Sequence, residues 1–119
     1  DKGRILNIGS IAVTSPRAGI GSYAAAKNAI VGFTRSMSSD LGEHGIRCNA
    51  ISPGYFLTDL TRELQDDREF WTRIEQRTPA RRWGDPKELG GPAVFLMSEA
   101  SSYISGQNLY VDGGMSHTL

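Results

Sequence analysis

A long helical pattern between two short apolar segments limits the possible folds of this chain more than any other feature. Residues 4–8, "RILNI", are rich in apolar side chains, as is typical of a strand buried on both faces. Apolar residues recur with a helical period over residues 22–43, and a glycine follows. Residues 46–52, "IRCNAIS", predict a second strand that Pro53 and Gly54 end. A strand, a long helix and a strand predict a parallel crossover and therefore an α/β fold.

The rest of the chain predicts a covering segment, a helix and a third strand. Residues 59–84 are charged and aromatic without one continuous period, although two short helices fit within them. A helix is predicted over residues 86–98, because Asp85 suits the N-cap, a proline follows it, and a glutamate occupies the third helical position. Pro92 lacks a backbone donor, so we expect a bend there. Residues 108–111 predict a third short strand before two glycines.

Composition excludes several classes of function. The 119 residues suit one small domain, and thirteen basic residues balance thirteen acidic ones, so nothing attracts nucleic acid or an anionic membrane. No apolar run or charged leader suggests a membrane span or a secretion signal, so we expect a cytoplasmic protein. Cys48 is the single cysteine, which excludes an internal disulfide and predicts core packing. No ligand spacing suggests a metal site. The chain begins at Asp1 and enters a predicted strand almost at once, so we expect it to start inside a longer protein.

Tyr23 and Lys27 lie four residues apart in "YAAAK", so a helix places their side chains on one face. A free tyrosine ionises near pH 10. At about 4 Å and an effective dielectric near 20, an ammonium group stabilises a phenolate by roughly 4 kcal/mol before desolvation opposes it. The pair therefore suits proton exchange at neutral pH. The alternative is a solvated helix lysine, since this spacing alone is a weak motif.

Other polar groups follow the ends of the two strands. Ser10 follows the first strand, and Pro53, Gly54 and then Thr58 follow the second. Parallel sheets place their ligands at the carboxyl ends of the strands. We therefore expect one crevice that collects the Ser10 hydroxyl, the phenol of Tyr23 and the proline-glycine turn.

Several motifs, in order and at family spacing, resemble the C-terminal half of a short-chain dehydrogenase/reductase. They are "NIGS" at 7–10, "YAAAK" at 23–27, "NAISPGYFLTD" at 49–59, "RWGDPKEL" at 82–89 and "YVDGG" at 110–114. The resemblance implies the C-terminal part of a Rossmann-like doubly wound parallel sheet, with three strands and crossover helices. It also implies that residues 1–119 form a single partial domain that lacks the N-terminal cofactor half, and that residues 59–84 cover the substrate.

The resemblance implies three catalytic residues. Tyr23 would donate a proton in carbonyl reduction and accept one in alcohol oxidation. Lys27 would support that proton exchange and hydrogen-bond the nicotinamide ribose. Ser10 would hold the substrate oxygen, where charge develops during the reaction. The hydride would come from NAD or NADP, because no side chain can supply one.

The cofactor-binding residues that the resemblance implies are Tyr23, Lys27, Pro53, Gly54, Phe56 and Thr58. Backbone groups at Phe56 would meet the nicotinamide amide, and Thr58 matches a threonine that contacts the cofactor. The elements that bind the pyrophosphate and select NAD or NADP belong to the family's N-terminal half, so the preference stays open. A fourth catalytic residue of the family, an asparagine, also lies outside the matched part, because neither Asn7 nor Asn28 occupies its position.

Narrower resemblances indicate two kinds of ketone substrate. "PGYFLTDLT", "RTPARRWGDP" and "YVDGGM" together resemble gluconate 5-dehydrogenase-like sugar-acid reductases, and β-ketoacyl-carrier-protein reductases share most of these motifs. Related epimerases and dehydratases use the same tyrosine and lysine, although "YVDGG" favours the dehydrogenase branch. The side chains that could meet a sugar acid's carboxylate are Arg17, Tyr55, Arg73, Arg77, Arg81 and Arg82.

A second class of function stays open beside the oxidoreductase. The chain has the catalytic pair without a phosphate loop, so it could act only as a packing or oligomerisation module. Small residues on the long helix, at Ala24, Ala25, Ala29 and Gly32, favour close helix contact, and the family uses this helix at a subunit interface. We expect a homo-oligomer, a dimer or tetramer, that takes a small alcohol or ketone and binds neither nucleic acid nor membrane.

Overall fold

The computed structural model describes residues 3–118 and contains a parallel sheet of three strands in the order β1, β2, β3. The strands are β1 (Gly3–Ile8), β2 (Ile46–Pro53) and β3 (Asn108–Val111). The predicted α/β fold with three parallel strands is confirmed. β2 runs one residue further than predicted, because the Gly54 amide donates to the Val111 carbonyl at 2.9 Å and continues the ladder.

The long helix α1 (Gly21–Leu41) connects β1 to β2. A short 3-10 helix, Gly42–His44, extends it, and Gly45 then turns the chain with φ of 75°. Glycine adopts this left-handed conformation without the Cβ penalty, which explains the predicted stop. Within residues 3–118, no helix has both the length and the apolar character that crossing a bilayer requires.

Three further helices lie between β2 and β3. They are α2 (Arg62–Asp66), α3 (Arg68–Arg77) and α4 (Gly90–Met97), and the 3-10 helix Pro86–Leu89 precedes α4. Asp85 and Glu88 form the predicted capping box. The bend at Pro92 stays a prediction, and the change from 3-10 helix to α-helix comes earlier, after Leu89. Pro92 lies in the first turn of α4, where the missing N–H would have no intrahelical partner.

Helices cover both faces of the sheet. Side chains alternate along β2, so Cys48 and Asn49 point to opposite faces. Cys48 is fully buried and its sulfur lies 4.0 Å from that of Met37 on α1. The Asn49 amide donates to the Ile104 carbonyl at 3.0 Å, in the loop after α4, and α4 itself packs on β1. This arrangement is the doubly wound layering that the sequence predicts.

An apolar cluster packs the segment between β2 and α4 against the residues that follow β1 and β3. Its buried members are Ile11, Phe70, Ile74, Trp83 and Met115. The Trp71 and Trp83 rings stack with centroids 4.9 Å apart. The segment is also fastened where it leaves and returns, because Phe56 and Gly84 form a parallel β-bridge. Residues 57–83 are therefore a loop with fixed ends.

Candidate active site

Ser10 lies at the carboxyl end of β1 in a tightly fixed backbone. The Gly9 amide donates to the Ile51 carbonyl at 2.7 Å, and a Cβ at Gly9 would lie 2.4 Å from the Ser52 hydroxyl. Ser10 then caps the 3-10 helix Ile11–Val13, where its Oγ accepts from the Ala12 amide at 3.1 Å. Ser10 as a whole is 8% exposed. The backbone before and after it therefore sets the position of its hydroxyl.

Lys27 joins the long helix to the same strand end. Its ammonium group donates to the Ile8 carbonyl at 3.0 Å, two residues before Ser10. The same nitrogen lies 5.7 Å from the ring centroid of Tyr23, one helical turn earlier. Tyr23 is 46% exposed, so its phenol is open to a ligand. An ammonium group has three donors, and the Ile8 carbonyl uses one of them.

One cavity of about 340 Å³ brings Ser10 and Tyr23 together with the Gly54 turn. Its wall also contains Ile11, Ala12, Ser15, Arg17, Ile20, Tyr55, Leu60, Thr61 and Leu64. This volume lies in the range of small-molecule sites. The cavity has the composition such sites share, with apolar walls and a few convergent polar groups.

The remaining predicted site residues lie beside this cavity rather than in its wall. Phe56 is 6% exposed and its ring covers Gly84, where a Cβ would lie 2.5 Å from it. The Phe56 carbonyl accepts from Thr61 Oγ1 at 2.6 Å. Thr58 forms a capping box with Thr61 at the start of the 3-10 helix Asp59–Thr61. The cofactor contacts of Pro53, Phe56 and Thr58 stay predictions.

Sequence analysis missed several groups around this cavity. The Ile8 carbonyl, which positions Lys27, is a backbone atom with no signature in residue type. Leu60 and Leu64 are four residues apart, and that spacing in a helix could have placed both on one wall. Thr61 gave no signal, because its role depends on the turn that brings its hydroxyl back to the Phe56 carbonyl.

Tyr55 and Arg17 line the cavity, and the charges of two further arginines act on the Tyr55 hydroxyl. The Tyr55 ring packs edge-on against Phe70 at 5.6 Å and against Trp83 at 5.4 Å. Burial raises the pKa of the Tyr55 hydroxyl above its ordinary value, while the positive charges of neighbouring arginines act to lower it. In order of decreasing effect, these are Arg17, Arg77 and Arg73.

The other two candidate arginines are already engaged. Arg82 binds both carboxylate oxygens of Glu88, at 2.7 and 2.8 Å. Its partner's pKa falls from an ordinary 4.5 to about 2, chiefly because of that hydrogen bond. Arg81 donates to the Gln76 carbonyl at 2.6 Å and has a left-handed backbone, with φ of 58°. Neither lines the cavity that contains Ser10 and Tyr23.

The motif "YVDGG" packs against the turn after β2. Asp112 accepts from the amides of Gly114 at 2.9 Å and Ser116 at 2.8 Å. Burial opposes ionisation of this carboxyl, but the donors of Ser116 and Gly114 outweigh it and lower its pKa. A Cβ at Gly54 would lie 2.8 Å from the Asp112 Cα, so the two segments meet without side chains between them.

Comparisons with known proteins find relatives that match nearly the whole length of this chain. A family model described as enoyl-(acyl carrier protein) reductase matches residues 1–116. Gluconate 5-dehydrogenase of Gluconobacter oxydans is 47% identical over 118 residues, which are 99% of this chain and 46% of that protein. A 3-oxoacyl-(acyl-carrier-protein) reductase of Vibrio harveyi is 43% identical over 113 residues, or 95% of this chain and 46% of the relative.

A solved structure has the same fold. Gluconate 5-dehydrogenase of Burkholderia cenocepacia, in complex with NADP and tartrate, superposes with a TM-score of 0.97 and 44% identity, over 99% of this chain and 46% of that one. The chain therefore spans about half the length of the relatives it matches. The match over residues 1–116, together with the fold and the order of the motifs, shows that the chain belongs to the short-chain dehydrogenase/reductase family.

Proposed function

We propose that this chain carries the proton-transfer half of an NAD(P)-dependent oxidoreductase that interconverts a secondary alcohol and a ketone. The observation that carries the proposal is the shared cavity of Ser10 and Tyr23, with the Lys27 ammonium group 5.7 Å from the phenol ring. Family membership and the relatives' activities support it.

In this proposal Tyr23 protonates the carbonyl oxygen during reduction and takes that proton back during oxidation. Ser10 donates a hydrogen bond to the same oxygen, where negative charge develops. Its Oγ already accepts from the Ala12 amide, so the hydroxyl proton is free to point into the cavity. Lys27 stabilises the phenolate that proton transfer leaves, while the Ile8 carbonyl holds the ammonium group in place.

The residues present fit a nicotinamide cofactor. Gly54 approaches the Asp112 backbone so closely that the turn has no room for a side chain on that side, and the same glycine lines the cavity. We propose that Tyr23, Lys27, Pro53, Gly54, Phe56 and Thr58 hold the nicotinamide end. Lys27 has two N–H donors left for ribose hydroxyls after the Ile8 carbonyl takes one. When bound, the cofactor supplies or accepts the hydride.

For the substrate we propose a sugar acid such as gluconate and its keto form. The relatives include gluconate 5-dehydrogenases, and one solved neighbour contains tartrate, itself a polyhydroxy acid. The second candidate is a 3-oxoacyl thioester, which the Vibrio harveyi relative favours. We further propose that residues 59–84 cover the substrate and that the complete subunits form a homo-oligomer.

Tyr23→Phe in the complete subunit tests the catalytic assignment. This variant removes the hydroxyl and keeps the ring, so we expect kcat to fall at least about a hundredfold, the scale of lost acid–base catalysis. NADPH and NADH affinities, measured by fluorescence titration, should change little. Tyr103→Phe is the matched control, because Tyr103 is fully exposed and outside the cavity.

Unchanged turnover in Tyr23→Phe would contradict the proton-transfer role. Absence of cofactor binding by the complete wild-type subunit up to millimolar concentration would instead favour the packing-module alternative.

A further inference from the structure

Arg17 is the single charged residue in the wall of the cavity that contains Ser10 and Tyr23, within the described part of the chain. The rest of that wall is apolar or carries hydroxyl groups. The guanidinium group of an arginine can donate two parallel hydrogen bonds to one carboxylate. Arg17 is therefore the position in this wall where an anionic ligand would gain a contact that a neutral ligand lacks.

The positive charge at this position is not neutralised by the protein. No salt bridge involves Arg17, Arg73 or Arg77 among residues 3–118, whereas Arg82 is paired with Glu88. The Arg17 guanidinium lies 6.0 Å and that of Arg73 5.1 Å from the Phe70 ring centroid. An aromatic ring at this distance attracts cations but leaves their N–H donors available.

Tyr55 adds a hydroxyl group to the part of the cavity wall that contains Arg17. It lines the cavity beside Arg17, and its ring is held by Phe70 and Trp83. The positive charges of Arg17, Arg77 and Arg73 all act to lower the pKa of this hydroxyl, against the effect of burial. A guanidinium fork and a hydroxyl donor together match the two oxygens of a carboxylate.

We propose that Arg17 and Tyr55 form the carboxylate anchor that determines substrate specificity, with Arg73 and Arg77 contributing positive charge. This inference rests on the proposed function and names the residues that select an acid over a neutral ketone. The anchor is built into the wall that also carries the catalytic hydroxyls, which fits a small polyhydroxy acid better than the acidic surface of a carrier protein.

The test uses the complete subunit with two ketones that share a carbon skeleton. 5-Keto-D-gluconate carries the carboxylate, and L-sorbose has a hydroxymethyl group in its place. In Arg17→Gln, the ratio of kcat/KM for 5-keto-D-gluconate to that for L-sorbose should fall by about 10- to 100-fold, the worth of one charge-assisted hydrogen bond. Arg17→Lys should recover part of this ratio, because it keeps the charge and loses the fork.

Arg35→Gln on the exposed side of α1 is the matched control, and its ratio should equal that of the wild type. Arg17 is itself in an exposed loop, so its replacement should not unfold the protein. An equal loss with both ketones, or no loss with either, would overturn the anchor. A greater loss with an acetoacetyl thioester than with 5-keto-D-gluconate would also overturn it, in favour of carrier-protein binding.

Calorimetric titration with gluconate gives a readout that does not need turnover. If the wild type binds gluconate and Arg17→Gln binds it at least about tenfold more weakly, the anchor holds even where 5-keto-D-gluconate is not reduced. In that case only the proposed reaction fails. Equal gluconate affinity in the two proteins, or no binding by the wild type, would overturn the anchor.

Discussion

At the scale of single residues, the site depends on contacts between backbone and side chain that hold two polar groups in place. The Ile8 carbonyl fixes the Lys27 ammonium group, and the Ala12 amide fixes the Ser10 hydroxyl. Both partners are main-chain atoms, so their positions follow from the end of β1 and not from another flexible side chain. Such preorganisation lowers the entropy lost when reactants are aligned.

Gly54 gives a prediction at this scale. In Gly54→Ala the new Cβ would lie 2.8 Å from the Asp112 backbone, so we expect a loss of about 1–3 kcal/mol in the free energy of unfolding. Gly42→Ala, at the C-terminal end of α1 where the backbone is right-handed helical, is the control. No atom lies within 4 Å of its added Cβ, and alanine in a helical conformation should gain about 0.5–1 kcal/mol. Urea denaturation measures both, and equal stabilities would contradict the close approach.

The candidate site was predictable from sequence where a residue type carries its own chemistry. Ser10, Tyr23 and Lys27 follow from the strand end and the helix spacing. The structure places Ser10 and Tyr23 in the wall of one cavity, and the Lys27 ammonium group lies 5.7 Å from the Tyr23 ring centroid. The sequence did not predict which arginines pair with a carboxylate of the protein and which remain available to a ligand. Arg82 differs from Arg17 only because Glu88 lies within reach of it in the fold. Partners of this kind depend on tertiary geometry that periodicity does not contain.

At the scale of elements, the 3-10 helix before α4 shows how one carboxylate performs two tasks. Glu88 accepts from the Asp85 amide at 2.8 Å to complete the capping box, and its two oxygens bind Arg82. The first contact fixes the start of the helix. The second fastens the end of the covering segment, because Arg82 precedes the Phe56–Gly84 bridge by two residues.

We predict that the loss of stability caused by Glu88→Gln depends on pH. The pKa of Glu88 is lowered to about 2 in the folded state, so its contribution to stability is complete above the ordinary value of 4.5. That contribution is lost as the pH falls through about 2. The difference in unfolding midpoint between wild type and Glu88→Gln should therefore be constant at pH 5 to 7 and shrink between about pH 4.5 and 2.

Denaturant titrations at pH 7, 5 and 3 measure this difference. Glu63→Gln is the control, since Glu63 is exposed and forms no ion pair among residues 3–118. A difference for Glu88→Gln that grows toward acid pH would contradict the ion pair.

Most elements were predictable because each has a local cause. The strand β3 appears over the predicted residues 108–111, and the 3-10 helix that extends α1 ends at the expected glycine, Gly45. The sequence pattern does not reveal that the turn before α4 winds as a 3-10 helix. That choice moves the start of the α-helix to Gly90 and places the proline where it is tolerated.

At the scale of the whole molecule, β1 and β3 are both sheet edges, and α4 is apolar on more than one side. Val94 is 70% exposed and Met97 47%. A helix that is apolar all round is normally buried, and an open strand edge can pair with another chain. The described residues therefore leave surface that a further part of the subunit, or a second subunit, would cover.

Val94→Lys in the complete subunit tests this expectation. A charge placed in an apolar contact should weaken self-association, so we expect sedimentation to shift toward the mass of one subunit. Thr72→Lys, at an exposed position on α3, should leave the mass unchanged. Lower stability of Val94→Lys at an unchanged mass would place the α4 face inside the subunit. If neither the mass nor the stability of this variant changes, the expected contact is contradicted.

The bridge between Phe56 and Gly84 has a consequence for protein engineering. Because both ends of residues 57–83 meet at one bridge, this segment leaves and re-enters the structure at a single point. We expect that a homologous segment can be transplanted between the two anchor residues if it keeps the buried side chains of Phe70, Ile74 and Trp83. Such an exchange would also replace Leu60, Thr61 and Leu64 in the cavity wall, and so would change ligand selectivity through one continuous stretch of sequence.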